Sequence, residues 1–311
     1  MPLQYVSLLN TSFSGSTLVS MLLCSQPRIV GFGDTYVLPD PAHYPQHPCT
    51  CGRWFDECPP RIAIRDAVRS GGIEDYDWDR ASATPIPKWL PRKIRQNWPF
   101  VRPSSLPLFR AIPTSVRNRI YRRFYLETRL MLKGLEETGD YDIYFDGCKS
   151  LVRAELLRTA IPDLKVLHMI RHPGAFLYHF HRLGQTNYDK YLRRWRRYNH
   201  HARQLGRLLP KESYKAVTYE SIVQNPEAFI EQMVDFMGMT EVHSEDCARI
   251  RRPQTHIIGN RMRETVDHVL DYSNTWRGKM PANVEDKANE MIARDEWLAS
   301  LYEGRSVTQG G

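Results

Sequence analysis

Apolar residues fall into two recurring patterns along the chain. Short, nearly continuous apolar runs at 3–9, 28–32, 141–146, 164–170 and 214–219 predict strands buried on both faces. Between and after them, longer segments at 16–25, 60–70, 116–137, 152–161, 174–184, 188–208, 226–237 and 284–302 predict helices. Asn225-Pro226 supplies an N-cap and a proline at the first helical position, which fixes one helix start. Leu192, Trp195 and Tyr198 share one helical face and are expected in the core. Strands alternating with helices predict an α/β fold, a mostly parallel sheet flanked by helices, in a single domain over 1–311. From Ala81 to Pro113, seven prolines break the pattern. That density is expected to preclude regular helix, so an irregular Pro-rich insertion is predicted within 40–115, either a lid over the C-terminal edge of the sheet or a solvent-side loop pinned by Trp89 and Trp98.

The first strand passes into the first helix through Asn10-Thr-Ser-Phe-Ser-Gly-Ser-Thr-Leu18. A strand, a turn of small residues and a helix N-terminus point several backbone N–H groups and a favourable dipole at one place, which suits a phosphate or sulfate. A plain turn with Ser and Thr as N-caps has much the same sequence. No lysine follows Gly15, so the loop is not the GxxxxGK[ST] of nucleoside triphosphatases. A second signal lies after the strand 164–170, where Arg171-His-Pro-Gly174 occupies the strand end at which open α/β sheets bind ligands. His179 and Arg182 follow on the next helix and add cationic or donor groups.

These segments resemble the sulfotransferases that use 3'-phosphoadenosine 5'-phosphosulfate (PAPS). Phe13-Ser-Gly-Ser-Thr17 is similar to the family's [RK]-S-G-[TS]-T loop, and Ser25-Gln-Pro-Arg-Ile-Val with Gly33-Asp34 to its S-H-P-x-I and Gly-Glu segment. Asp146-Gly-Cys-Lys-Ser150 with Arg153 resembles D-x-S-K-x-x-x-R, and Arg171-His-Pro resembles R-D-P. Thr218-Tyr-Glu220 and His256-Ile-Ile-Gly-Asn-Arg-Met-Arg263 complete the series in family order. The resemblance implies a P-loop-like sulfotransferase fold and transfer of a sulfuryl group from PAPS to a hydroxyl, less readily an amine, of a small molecule. It implies that Phe13, Ser14, Gly15, Ser16 and Thr17 hold the 5'-phosphosulfate and that Arg171 clamps the 3'-phosphate. His179 stands where the family has a 3'-phosphate serine, Tyr219 is expected near the adenine, and Gly259, Asn260, Arg261 and Arg263 around the 3'-phosphate.

Phe13 departs from the family's Arg or Lys, which removes a cation beside the transferring group; Lys149 is the expected substitute. Asp34 is the expected general base, with His172 and His179 as alternatives. A binding-only protein for a sulfated or phosphorylated polyanion, and a kinase on the same scaffold, are the competing readings.

The net charge of +8 fits an anionic co-substrate and equally a non-specific polyanion. No segment reaches the roughly 20 apolar residues of a membrane helix, so a cytoplasmic protein with no membrane and no nucleic-acid partner is expected. Cys49, Cys51 and Cys58 form the only cysteine cluster, with His43 and His47 just upstream. Their spacing matches no standard zinc pattern, so reduced structural thiols are expected, a disulfide or zinc being the alternatives. Turnover is expected to need no metal.

Overall fold

The computed structural model describes residues 2–34, 48–74, 76, 106–239, 256–257 and 276–303. Five strands, β1 (Gln4–Leu9), β2 (Ile29–Val30), β3 (Ile143–Asp146), β4 (Lys165–Ile170) and β5 (Tyr214–Thr218), form one sheet in the order β2-β3-β1-β4-β5. Every pairing is parallel, and the central β1 pairs Gln4 with Ile143 on one side and Val6 with Lys165 on the other. All five predicted strands are present, each within a few residues of its expected ends.

Alternation along β1 divides the interior into two layers. Tyr5 and Leu9 face one side with Tyr144 and Val166, where helices Arg122–Thr138 and Leu151–Ala160 pack through Phe124, Met131, Leu135, Leu156 and Leu157. Val6 and Leu8 face the other with Phe145, Leu167 and Met169, covered by helices Ser16–Cys24 and Pro226–Met237. Burial on both faces accounts for the mostly apolar character of β1 and β4, in which even Ser7 and His168 are buried. A third cluster, around Phe176, Trp195, Trp276 and Val284, joins helices Pro173–Arg182, Tyr188–Gly206 and Ala282–Ala293. Leu192, Trp195 and Tyr198 are all buried, as their spacing predicts.

Four local differences have physical causes. The predicted helix 116–137 is two helices, Thr114–Ile120 and Arg122–Thr138, separated at Tyr121, which leaves helical geometry at ψ 14° and buries its ring. The predicted helix 284–302 divides into Ala282–Ala293 and Glu296–Tyr302 because the Asp295 side chain accepts from the N–H groups of Trp297 and Leu298 and starts a new helix. A helix, Leu106–Ala111, lies inside the stretch expected to preclude helix; its Pro107 sits in the first turn, where a missing N–H costs nothing. Thr218 caps a further helix, Tyr219–Gln224, through the N–H of Ser221, so β5 ends there. Within the expected insertion, Phe55, Ile64, Val68, Leu106 and Phe109 belong to the first core cluster. Residues 77–105 lie outside the described residues. No described helix is long and apolar enough to cross a membrane.

Candidate active site

In a parallel sheet every strand delivers its following loop to the same edge. Here the C-terminal ends of the five strands deliver, in chain order, the loop Asn10–Gly15, Asp34, Lys149, Arg171 and Tyr219. Each was singled out from the sequence, and the topology brings them to one side of the molecule.

The first loop ends at Gly15, which caps the helix Ser16–Cys24 in a left-handed conformation, φ 90°, without any side-chain cap bond. The first-turn N–H groups of Ser16, Thr17 and Leu18 have no acceptor within the helix. A side chain at Gly15 would also overlap the ring of Tyr219, so glycine is required both by backbone angle and by close packing. Ser14 and Thr11 bond to each other through their hydroxyls at 2.6 Å and brace the turn from inside. Both side-chain atoms of the fully buried Asn10 lack a protein partner at the base of the loop.

Phe13 adopts φ 64° and stacks on the imidazole of His179 with ring centroids 3.6 Å apart. Its carbonyl accepts from Nη1 of Arg171 at 2.9 Å. The Arg171 guanidinium in turn lies over the Tyr219 ring, 4.7 Å from its centroid. Arg171 Nε and His179 Nε2 are buried and without protein partners. Burial, reinforced by Arg182 and Arg171, lowers the His179 pKa below the ordinary range. Phe13, Arg171, His179 and Tyr219 thus form one contiguous group with unused hydrogen-bonding capacity. Gly259, Asn260, Arg261 and Arg263 lie outside the described residues.

The C-terminal ends of β2 and β3 meet through two glycines: a Cβ on Gly147 would come within 2.7 Å of Gly33. This close approach sets Asp34 beside Lys149, and Oδ2 of Asp34 accepts from the Lys149 ammonium at 2.8 Å. Oδ1 is buried with no partner. The pair is mostly shielded, at 19% and 14% side-chain exposure, which preserves more of its attraction than open solvent would.

The backbone on either side of Lys149 is fixed by buried polar groups. Arg153, the arginine of the segment that resembles D-x-S-K-x-x-x-R, is in the interior, where its Nε donates to Asp146 Oδ2 at 2.7 Å and its Nη2 to the Tyr5 hydroxyl at 2.9 Å. Asp146 also accepts from the Cys148 N–H, so this network shapes the turn that presents Lys149. Tyr198 donates its hydroxyl to the Lys149 carbonyl at 2.7 Å and faces the Asn10 backbone, tying the loops after β1 and β3 together. The core position of its ring was legible from helical spacing; no sequence signal marked the role of its hydroxyl. His172, an alternative base, is a helix N-cap whose Nδ1 accepts from Gly174 N–H, and it stacks on Trp276. Burial pushes its pKa down to about 4, and its backbone N–H donates to the buried Glu220.

A comparison with curated proteins finds no match. Among solved structures, the sulfotransferase domain of the Synechococcus PCC 7002 olefin synthase aligns with a TM-score of 0.54 at 17% identity, over 94% of this chain and 96% of that one. The sulfotransferase domain from the curacin biosynthetic pathway aligns at 0.51 and 12% identity, over 94% and 97%. Both share the fold. Residues 13–245, from the loop at Phe13 past β5, match the Sulfotransferase family, and the chain belongs to that family.

Proposed function

We propose that this sulfotransferase moves the sulfuryl group of PAPS to a hydroxyl of a small-molecule acceptor, releasing adenosine 3',5'-bisphosphate. The acceptor oxygen attacks sulfur, the bond from sulfur to the bridging phosphate oxygen breaks, and that oxygen keeps the electron pair. Asp34 takes the acceptor's proton on Oδ1, the oxygen that lacks a partner. Lys149 neutralises charge building on the bridging and sulfuryl oxygens, the task that Phe13 cannot perform. Backbone N–H groups from Ser14 to Thr17 and the hydroxyls of Ser16 and Thr17 receive the 5'-phosphosulfate. Arg171 and His179, with open nitrogens, receive the 3'-phosphate, and Tyr219 borders the adenine. Gly259, Asn260, Arg261 and Arg263 are assigned to the same phosphate by resemblance.

The observation that carries this reading is the Asp34–Lys149 pair, a carboxylate with one unused oxygen and a cation delivered by adjacent strands to the loop's edge of the sheet. A natural-product or metabolite hydroxyl is the acceptor class we favour; the two structural neighbours come from an olefin synthase and from the curacin pathway. Titration calorimetry tests the donor. Adenosine 3',5'-bisphosphate is expected to bind much more tightly than adenosine 5'-monophosphate, and equal affinities would reject PAPS. Incubation with PAPS and a panel of acceptors, read by mass spectrometry for a gain of one sulfuryl group, tests the transfer itself.

A further inference from the structure

We propose that Cys49, Cys51, Cys58 and His256 bind one zinc ion as a closed structural site. The three cysteines lie on one short segment, whereas His256 comes from a part of the chain almost 200 positions later. All four donor atoms nevertheless lie within 4.8 Å of one another. The Cys58 sulfur is 3.7 Å from that of Cys49, 3.9 Å from that of Cys51 and 3.2 Å from Nδ1 of His256. A tetrahedral zinc with its usual bond lengths sets sulfurs about 3.8 Å apart and sulfur about 3.5 Å from nitrogen. The set therefore approaches the geometry of ligands around a single ion. A disulfide would instead use two sulfurs about 2 Å apart, leaving the third thiol and the imidazole without a purpose.

The surroundings suit a metal that holds structure. Gly52, at φ 85°, turns the chain after Cys51, and the Gly52 N–H donates to the Cys49 carbonyl at 3.0 Å. Cys49 N–H donates to the Arg53 carbonyl, and the Arg53 N–H faces the Cys51 sulfur, as backbone donors do around thiolate ligands. Cys58 is fixed as the residue that caps the helix Pro59–Ser70. The buried Arg61 donates to the His256 carbonyl at 2.7 Å while its guanidinium lies over the rings of Phe32 and Phe55. Thr50 and Ile257 exchange two further hydrogen bonds. Cys49 and Cys58 are buried, and four protein ligands leave no position for a substrate. This departs from the expectation of metal-free thiols, because spacing along the chain could not reveal that His256 is the fourth donor. None of the four residues is assigned to sulfuryl transfer, so the ion's task is to tie the two segments together.

Elemental analysis and native mass spectrometry of the full chain, purified without chelating resin, should find about one zinc per molecule. Cells grown on cobalt should yield protein with the sulfur-to-cobalt charge-transfer absorption of a tetrahedral thiolate site. Cys51→Ser, at the least buried ligand, should reduce metal content about tenfold or more and lower the melting temperature. His256→Gln should do the same, whereas Cys24→Ser should keep the metal. Metal-free wild-type protein that is folded and whose three thiols alkylate freely, or in which two of them are oxidised to a disulfide, would overturn the proposal.

Discussion

Because Oδ2 of Asp34 holds the Lys149 ammonium while Oδ1 stands without a partner, the two side chains act as a unit. Removing the cation should leave the binding of adenosine 3',5'-bisphosphate within a few-fold of wild type, since the groups assigned to the 3'-phosphate remain. The rate should suffer far more. Lys149→Ala is expected to lower kcat about a hundredfold or more, the scale of losing a donor that acts on transition-state charge. Asp34→Asn should also lower kcat, by removing the proposed proton acceptor. If the pair only ties two loops together, either change would lower the melting temperature and spare kcat. Steady-state kinetics with saturating acceptor, paired with thermal melting, separates these outcomes. Both residues were legible one at a time through resemblance. Their contact was not, because it depends on how closely Gly33 and Gly147 pack, and neither glycine has a spacing signature.

At the scale of elements, the strands were readable because burial on both faces leaves few polar positions in them, Ser7 and His168 among these. The helix breaks were not, for opposite reasons. Tyr121 continues an amphipathic pattern while its backbone departs from it, and Asp295 acts through a cap that competes with simple continuation of the helix. The turn from β1 into its helix carries the clearest consequence. Gly15→Ala imposes a left-handed angle on an L-residue and drives a methyl group into the Tyr219 ring. We expect a loss of roughly 1–3 kcal/mol in chemical denaturation, together with weaker binding of adenosine 3',5'-bisphosphate as Tyr219 and Arg171 shift. An alanine variant with wild-type stability and affinity would show that this turn does not have the rigid form described.

Across the whole molecule, buried histidines make stability depend on pH. His168 sits in β4 between the Tyr214 hydroxyl, at 2.7 Å, and Asn199, at 3.0 Å, and burial lowers its pKa to about 4. His172 is lowered to about 4 as well, by burial and then by Arg277. Between about pH 4 and the ordinary value near 6.5, the unfolded chain takes up protons that the folded chain refuses. Stability is therefore full above about pH 6.5 and falls as the pH drops toward 4. At pH 5 the loss should be on the order of 2 kcal/mol for His168 alone. Urea midpoints at pH 7, 6 and 5 measure it. His168→Gln should start lower and decline less over this range, and an unchanged slope would remove His168 from the account.

The central position of β1 has a further consequence, in time. Its partners are Ile143 in β3 and Lys165 in β4, so the strand made first is completed by strands made much later. At ribosomal speeds of about 5–20 residues per second, roughly 10–30 s pass before both neighbours exist. During that interval the run Tyr5–Leu9, almost wholly buried in the finished protein, has no sheet to join. Fragments ending before β4 should therefore be the aggregation-prone species, and the nascent chain has its greatest need of chaperones before residue 170 leaves the ribosome.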